Sequence, residues 1–336
     1  MRTYHIAWWN LENLFDEENA VALGRRTDKV FRAIKDDITG WTPQLRDRKI
    51  DQLASVIAAM NTGLGPDLIG VCEVENRFVV ERLVDRVNGT LSTPRNYTVV
   101  HADTNDARGI DVAFIYDDSL FQVPLPLKES VFFHVVMRRH ATREIVQVNF
   151  TTTTAAARTW AVFGNHWPSR SGGQFESEGY RAIAGETLSY FHQRVLEVHG
   201  RQTPVLAMGD FNDEPFDTSL VRHALSTRQR AKVTSAREEP LLWNLMWPIA
   251  GAPDGSFYFD NQPNMLDQFL TQQRTWPPAT ARSRLIPGTV QILKPPAMIN
   301  PGVYTKPIPF GGMGKPVNQN GFSDHFPITL TVTEVD

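Results

Sequence analysis

The chain has 336 residues, 41% hydrophobic and 21% charged, a balance that excludes a disordered or fibrous chain and provides for a sizeable core. Lys and Arg number 34 against 37 Asp and Glu, a formal charge of -3, so no global basic field points to a nucleic acid or membrane partner and any polyanion binding must be local. The single cysteine, Cys72, excludes an intrachain disulfide and any multi-cysteine metal site.

Short apolar runs bounded by turn residues predict strands at Tyr4–Trp9, Leu68–Cys72, Tyr97–Val100, Val112–Tyr116, Ile145–Phe150, Trp160–Phe163, Val205–Met208 and Ile328–Val332. Between them, Ile50, Leu53, Ile57 and Met60 keep one helical face, as do Tyr180, Ala184, Leu188, Phe191, Val195 and Val198. Strands alternating with helices around a strand-rich middle imply a layered α/β architecture. No repeat or linker divides the chain, so 1–336 reads as one domain. Two segments read as surface insertions that can rim a site: Glu17–Pro43, which is charged, and Trp276–Gln319, rich in proline and glycine. The run Ile6-Ala7-Trp8-Trp9 reaches Asn10 too soon for a leader peptide, and no stretch approaches the ~20 apolar residues of a spanning helix. Cytoplasmic residence is the default expectation, with a secreted mature form left open.

The chemistry collects where the apolar runs stop. One run ends in Asn10, another in Glu73, a third leads to Asn165-His166 and a fourth to Asp210-Phe211-Asn212. In layered α/β folds ligands bind at the C-terminal edge of the strands, and a charge released beside an apolar strand must be paired or bound. Residues two apart in extended chain share a face, so Asp210 and Asn212 present a carboxylate and a carboxamide together. Asp324 and His325 stand at the entrance of the last strand. Asp267 lies inside the apolar run Met265–Leu270, where a carboxylate is costly unless paired; His325 is its candidate partner. The other histidines, His5, His101, His134, His140, His192, His199 and His223, have no carboxylate or histidine at ligand spacing and read as surface or core residues.

These residues, in this order, resemble the endonuclease/exonuclease/phosphatase superfamily, which includes deoxyribonuclease I and exonuclease III. Trp9-Asn10-Leu11-Glu12-Asn13-Leu14-Phe15 looks like its opening asparagine motif, closest to the bacterial branch with such starts. Val71-Cys72-Glu73-Val74-Glu75 is similar to its metal-glutamate motif and Gly164-Asn165-His166-Trp167-Pro168 to its mid-chain histidine strand. Gly209-Asp210-Phe211-Asn212 and Ser323-Asp324-His325-Phe326-Pro327 resemble its two later signatures.

The resemblance implies a four-layered α/β sandwich of two packed mixed sheets flanked by helices. It also implies a Mg²⁺ or Mn²⁺ ion held by Glu73 with Asn10 and Asp324, all hard oxygen donors suited to such ions. Asp210 would orient or deprotonate the attacking water and Asn212 would hold a phosphate oxygen. His166 and His325 would flank the phosphate, His325 oriented by Asp267; which one is acid and which base is not readable. Arg108 and Asp111 occupy the place of a strand that approaches the substrate, Arg108 as a phosphate contact and Asp111 as a support for His166, or the two as a plain turn arginine and its neighbour. Arg170 is a further phosphate contact or a surface arginine. The first expectation is a metal-dependent nuclease cleaving DNA or RNA. The alternatives are a phosphatase or phosphodiesterase on a small or lipid-headgroup ester, or a non-catalytic scaffold of the same fold. Substrate choice would rest on rim loops around Arg25-Arg26, Arg138-Arg139-His140 and Arg282–Lys294.

Overall fold

The computed structural model describes the chain except 105, 107, 138–142, 237, 273–283, 313–314 and 336, with backbone alone at 284–287. Its strands are β1 (Arg2–Leu14), β2 (Leu68–Val74), β3 (Tyr97–Val100), β4 (Asp111–Asp117), β5 (Phe121–Gln122), β6 (Val131–His134), β7 (Ile145–Thr152) and β8 (Thr159–His166), followed by β9 (Val205–Asp210), β10 (Ser226–Thr227), β11 (Leu242–Asn244), β12 (Phe257–Phe259), β13 (Gln262–Asn264), β14 (Asp267–Gln272), β15 (Arg284–Ile292) and β16 (Ile328–Val335). The α-helices are α1 (Asp28–Ile34), α2 (Pro43–Gly63), α3 (Arg77–Thr90), α4 (Gln174–His199) and α5 (Arg230–Ser235).

One sheet has the order β15-β16-β1-β2-β4-β3 and the other β10-β11-β14-β9-β8-β7-β5, with β6 also on β7. Both are mixed: β1 runs parallel to β2, and β8 to β9, while β16 and β14 pair antiparallel with β1 and β9. Alternation along β1 sets the layering. Tyr4, Ile6 and Trp8 meet Phe114, Phe150, Val162 and Met208 between the sheets. Ala7, Trp9 and Leu11 point the other way, onto Leu53, Ile57, Val80 and Leu83 of α2 and α3. Beyond the second sheet, Ala161, Phe163, Val205 and Ala207 pack on Ala184, Leu188 and Val195 of α4. Helix, sheet, sheet and helix make the four-layered α/β sandwich. Each large apolar side chain buried in these layers contributes about 1.5–3 kcal/mol relative to exposure.

Local signals start the helices. Thr42 accepts a hydrogen bond from Leu45 N ahead of Pro43 in α2, and Asn76 accepts from Val79 N at the start of α3. Among the described residues no helix is long and apolar enough to cross a membrane.

Both insertions are more structured than their composition suggests. In Glu17–Pro43, Ile34, Ile38 and Trp41 close on Phe15, Ile110 and Phe310 in a small core of their own. Arg25 and Arg26, expected on a rim, are tied down instead: the Arg26 side chain is buried on Glu75, with NH2 2.8 Å from Oε2, and Arg25 pairs with Asp16 and Glu17. In Trp276–Gln319, 276–283 lie outside the described residues, but 284–292 form β15 on the sheet edge. Pro287 is tolerated there because an edge strand needs hydrogen bonds on one side only. Arg138, Arg139, His140 and Arg282 lie outside the described residues.

Candidate active site

The parallel pairs β1–β2 and β8–β9 deliver Asn10, Glu73, His166 and Asp210 to one edge of the sandwich. The backbone there departs from regular strand. Pairing shifts register between Asn10 and Leu14 on β1 and between Cys72 and Val74 on β2. Such bulges re-aim side chains. Glu12, Asn13, Glu73 and Asn212 all have positive φ, between 50° and 61°, a conformation that costs roughly 1–3 kcal/mol for each non-glycine residue. Hydrogen bonds hold it in place. Glu12 N donates to Asn10 Oδ1 at 3.0 Å and Asn13 N to Glu73 Oε2 at 2.9 Å.

Asp210 is the centre of the constellation. Its Oδ1 accepts from Asn212 N at 3.0 Å and its Oδ2 from Asn10 Nδ2 at 3.1 Å. The same Oδ2 stands 3.9 Å from Nε2 of both His166 and His325. Burial pushes the Asp210 carboxyl up to about 7, with the Asp267 charge adding to the rise and His325 opposing it.

The two histidines are both buried but differently furnished. His325 Nδ1 is 2.7 Å from Asp267 Oδ2, and Asp267 Oδ1 accepts from Trp8 Nε1 at 3.0 Å. Asp267 N donates to Ser256 Oγ. Burial alone would lower the His325 pKa, but Asp267, then Asp210 and Asp324, raise it to about 10, so the imidazole is cationic at neutral pH. His166 has its Nε2 3.5 Å from Glu73 Oε1, and its Nδ1 takes no hydrogen bond. Burial, with Arg143, Arg108 and His325 nearby, lowers its pKa well below the ordinary value and keeps it neutral.

Donors for a cation surround this pair. Asp210, Asp267 and His325 place ligand atoms within 4.8 Å of one another. Glu73, Asn10 and Asp324 supply two carboxylates and a carboxamide, a set without thiolate that fits a hard, oxygen-preferring ion. Lys49, fully buried, feels Glu12, Asp324 and Glu73 together and bonds Glu12 O. The Glu12 carboxyl accepts from Phe310 N and Gly311 N and is raised to about 7 by burial and then by Asp324. Lys315 Nζ lies 3.7 Å from Asp324.

The model of the Endonuclease/Exonuclease/phosphatase family matches residues 5–334. The chain belongs to this family. Its members are phosphoester hydrolases, and the chain is an enzyme of that class. The fold aligns with a family protein from Bacteroides thetaiotaomicron at 13% identity, covering 100% of this chain and 98% of that one, with a TM-score of 0.55. TDP2 from D. rerio, complexed with a single-strand DNA product, aligns at 12% identity over 99% and 100% of the two chains, with a TM-score of 0.57. A mannosyl-6-phosphatase from Bacteroides thetaiotaomicron aligns at 14% identity over 98% and 99%, with a TM-score of 0.55. No curated protein sequence matches the chain.

Within this family frame, three residues expected near substrate are engaged with protein groups. Arg170 donates from Nε to Asn212 O at 2.6 Å and from NH2 to Asp213 and Asp217, so its guanidinium fastens the segment after β9. Asp111 meets His101 at 3.6 Å and accepts from Thr104 N at 3.2 Å. Asn212 Nδ2 donates to Trp167 O at 3.0 Å. Arg108 is half-buried, its pKa lowered by burial and by Arg143. Sequence reasoning missed Trp8, Trp9, Ser256 and Arg143. Trp9 Nε1 donates to His325 O at 2.8 Å, so successive indoles of β1 secure Asp267 and His325 from opposite faces. The clue was the Trp8-Trp9 pair directly before Asn10.

Proposed function

We propose that residues 1–336 form one catalytic domain that hydrolyses phosphodiester bonds of DNA or RNA with a divalent cation, Mg²⁺ or Mn²⁺. The observation that carries the chemistry is Asp210 Oδ2 equidistant, at 3.9 Å, from a neutral and a cationic imidazole. Glu73, Asn10 and Asp324 would hold the cation, which when bound neutralises phosphate charge. Asp210, titrating near neutral pH, accepts a proton from the water whose oxygen bonds to phosphorus as the ester P–O bond breaks. Asn10 Nδ2 and Asn212 N fix the orientation of that carboxylate. His325, kept protonated by Asp267, faces the charge that develops on the phosphate oxygens. His166 presents Nε2 to the same space.

Nucleic acid as substrate is supported by a ledge on the segment after Asp210. Phe216 is 60% exposed, its ring is 6.3 Å from Trp247, and Arg228 lies 5.6 Å over Trp247. Aromatic rings with an arginine alongside stack bases without regard to sequence. A second reading, a small phosphate monoester, is favoured by Arg108 and Arg143, two guanidinium groups whose charge reaches His166, Arg143 also meeting Asp106 at 3.4 Å, and whose kind suits a terminal phosphate dianion.

The test is product release from plasmid DNA, single-stranded DNA, RNA, bis-(p-nitrophenyl) phosphate and p-nitrophenyl phosphate, with Mg²⁺, Mn²⁺ or chelator. Metal-dependent cleavage of nucleic acid, abolished by His166→Ala, is the expected result. Turnover of the monoester alone moves the assignment to the second reading. Folded protein inert on every substrate overturns both.

A further inference from the structure

Behind the catalytic edge lies a buried charge that takes no part in the hydrolytic step. Lys49, on α2, has no exposed surface, and its ammonium stands 5.1 Å from the ring of Phe310 and 6.0 Å from that of Trp41 while donating to Glu12 O. Glu12 is buried as well, at 3% exposure. Desolvation of two opposite charges can exceed the attraction between them, so their presence in the interior says little about stability. What their atoms hold is the better guide to their role.

Every polar group of Glu12 is engaged. Its N donates to Asn10 Oδ1 at 3.0 Å, and its O accepts from Lys49. Its carboxylate accepts from Phe310 N at 2.7 Å and from Gly311 N at 3.2 Å. That segment in turn pairs with the chain that enters the last signature: Asn318 N donates to Phe310 O at 2.7 Å and Phe322 N to Ile308 O at 2.8 Å. Ser323, the next residue, donates to Asn10 O and accepts from His325 N. Glu12 therefore joins the turn that carries Asn10 to the segment that leads into Asp324. It does so at a φ of 50°, a conformation that persists only where the surroundings over-determine it, and the Lys49 bond to its carbonyl is one of those restraints.

We propose that Lys49 and Glu12 are positioning residues that fix Asn10 and Asp324 relative to each other and thereby set the affinity of the site for its divalent cation. The assignment rests on the reading that Asn10, Glu73 and Asp324 hold the ion. Partners that orient ligands in this way are worth about 10–100-fold in metal affinity. The direction of the effect is diagnostic. An ammonium acting only through its charge repels the cation, so its removal tightens binding; an ammonium acting through position loosens binding when it is lost.

Mn²⁺ binding to the full-length protein, without substrate, is measured from the electron paramagnetic resonance signal of the free ion, with circular dichroism as the control for folding. Lys49→Met should raise the dissociation constant roughly 10–100-fold. The double variant Lys49→Met/Glu12→Gln leaves neither charge of the pair unmatched and carries the same test if the single variant does not fold; the same weakening is expected. Asp324→Asn removes a ligand through which the pair acts, so adding Lys49→Met to it should cost less than in the parent protein. Unaltered or tighter Mn²⁺ binding in folded Lys49→Met, with Glu73→Ala still weakening it, overturns the proposal alone. Glu73→Ala binding Mn²⁺ as tightly as the parent overturns the assignment of the ligands, and the proposal with it.

Discussion

His192, on α4 beneath the second sheet, and His325, at the sheet edge, are equally hidden from water, yet their imidazoles are driven in opposite directions. Among the described residues neither ring nitrogen of His192 has a hydrogen-bond partner, and burial lowers its pKa to about 3. His325 is buried as deeply, but Asp267 at 2.7 Å raises its pKa to about 10. The outer layer uses histidine as a packing group, and the edge uses it as a fixed cation. What separates them is a set of carboxylates around His325, foremost Asp267, held by Trp8 and Ser256, then Asp210 and Asp324.

Removing the foremost carboxylate is the most direct way to break the contrast. In Asp267→Asn the His325 imidazole should titrate far lower, as followed by NMR of the ring protons, and kcat should fall roughly 10²–10⁴-fold. Glu73→Ala and His166→Ala should lose activity by at least as much while circular dichroism remains that of the folded protein. A fully active Asp267→Asn would mean that the His325 charge is irrelevant to turnover.

The pH profile sharpens the same comparison. With Asp210 raised to about 7, kcat/KM should show an acid limb at or below that pH, because a bound cation favours the carboxylate. A flat profile down to pH 5 removes Asp210 as the proton acceptor. Stability should tilt the opposite way for each histidine. The folded pKa of His192 is depressed to about 3, so its contribution is complete above the unfolded value near 6.5 and declines as pH falls, by about 1.4 kcal/mol per unit. That of His325 is raised to about 10, so its contribution is complete below 6.5 and is lost as pH rises towards 10. Urea unfolding at pH 5 and 7 should therefore show a smaller acid loss in His192→Leu than in the parent protein. The smallest effect is expected at the ledge: Phe216→Ala should raise KM for single-stranded nucleic acid about fivefold, the low end of base stacking, and leave KM for p-nitrophenyl phosphate unchanged.

Legibility in the sequence followed the distance over which each signal acts. Runs such as Val205–Met208 and the polar residues that end them carry their meaning locally, so the eight strands and the gathering of Asn10, Glu73, His166 and Asp210 could be read directly. The partnership of Asp267 with His325 was readable because a carboxylate within an apolar run demands a counterpart. Ser256 and Arg143 were invisible, and Trp8 showed only as one of two tryptophans just before Asn10, since an indole or hydroxyl acquires a positioning role only through contacts across the sheets. The same holds for Asp111, which reads as a support for His166 until the β3–β4 hairpin turns it towards His101. Arg170 has the chemistry of a phosphate contact, and only the fold supplies Asp213 and Asp217 as its partners.

The strand order has a consequence for how the enzyme is made. β16 lies between β15 and β1, and Ser323 just ahead of it donates to Asn10 O at 2.7 Å. A growing polypeptide therefore exposes Glu73, His166 and Asp210 on the ribosome well before Asp324 and His325 have been synthesised. The first strand waits, with one flank open, for nearly the last. The edge that gathers these residues is therefore closed only when β16, late in the chain, has paired with β1 from the very start of it.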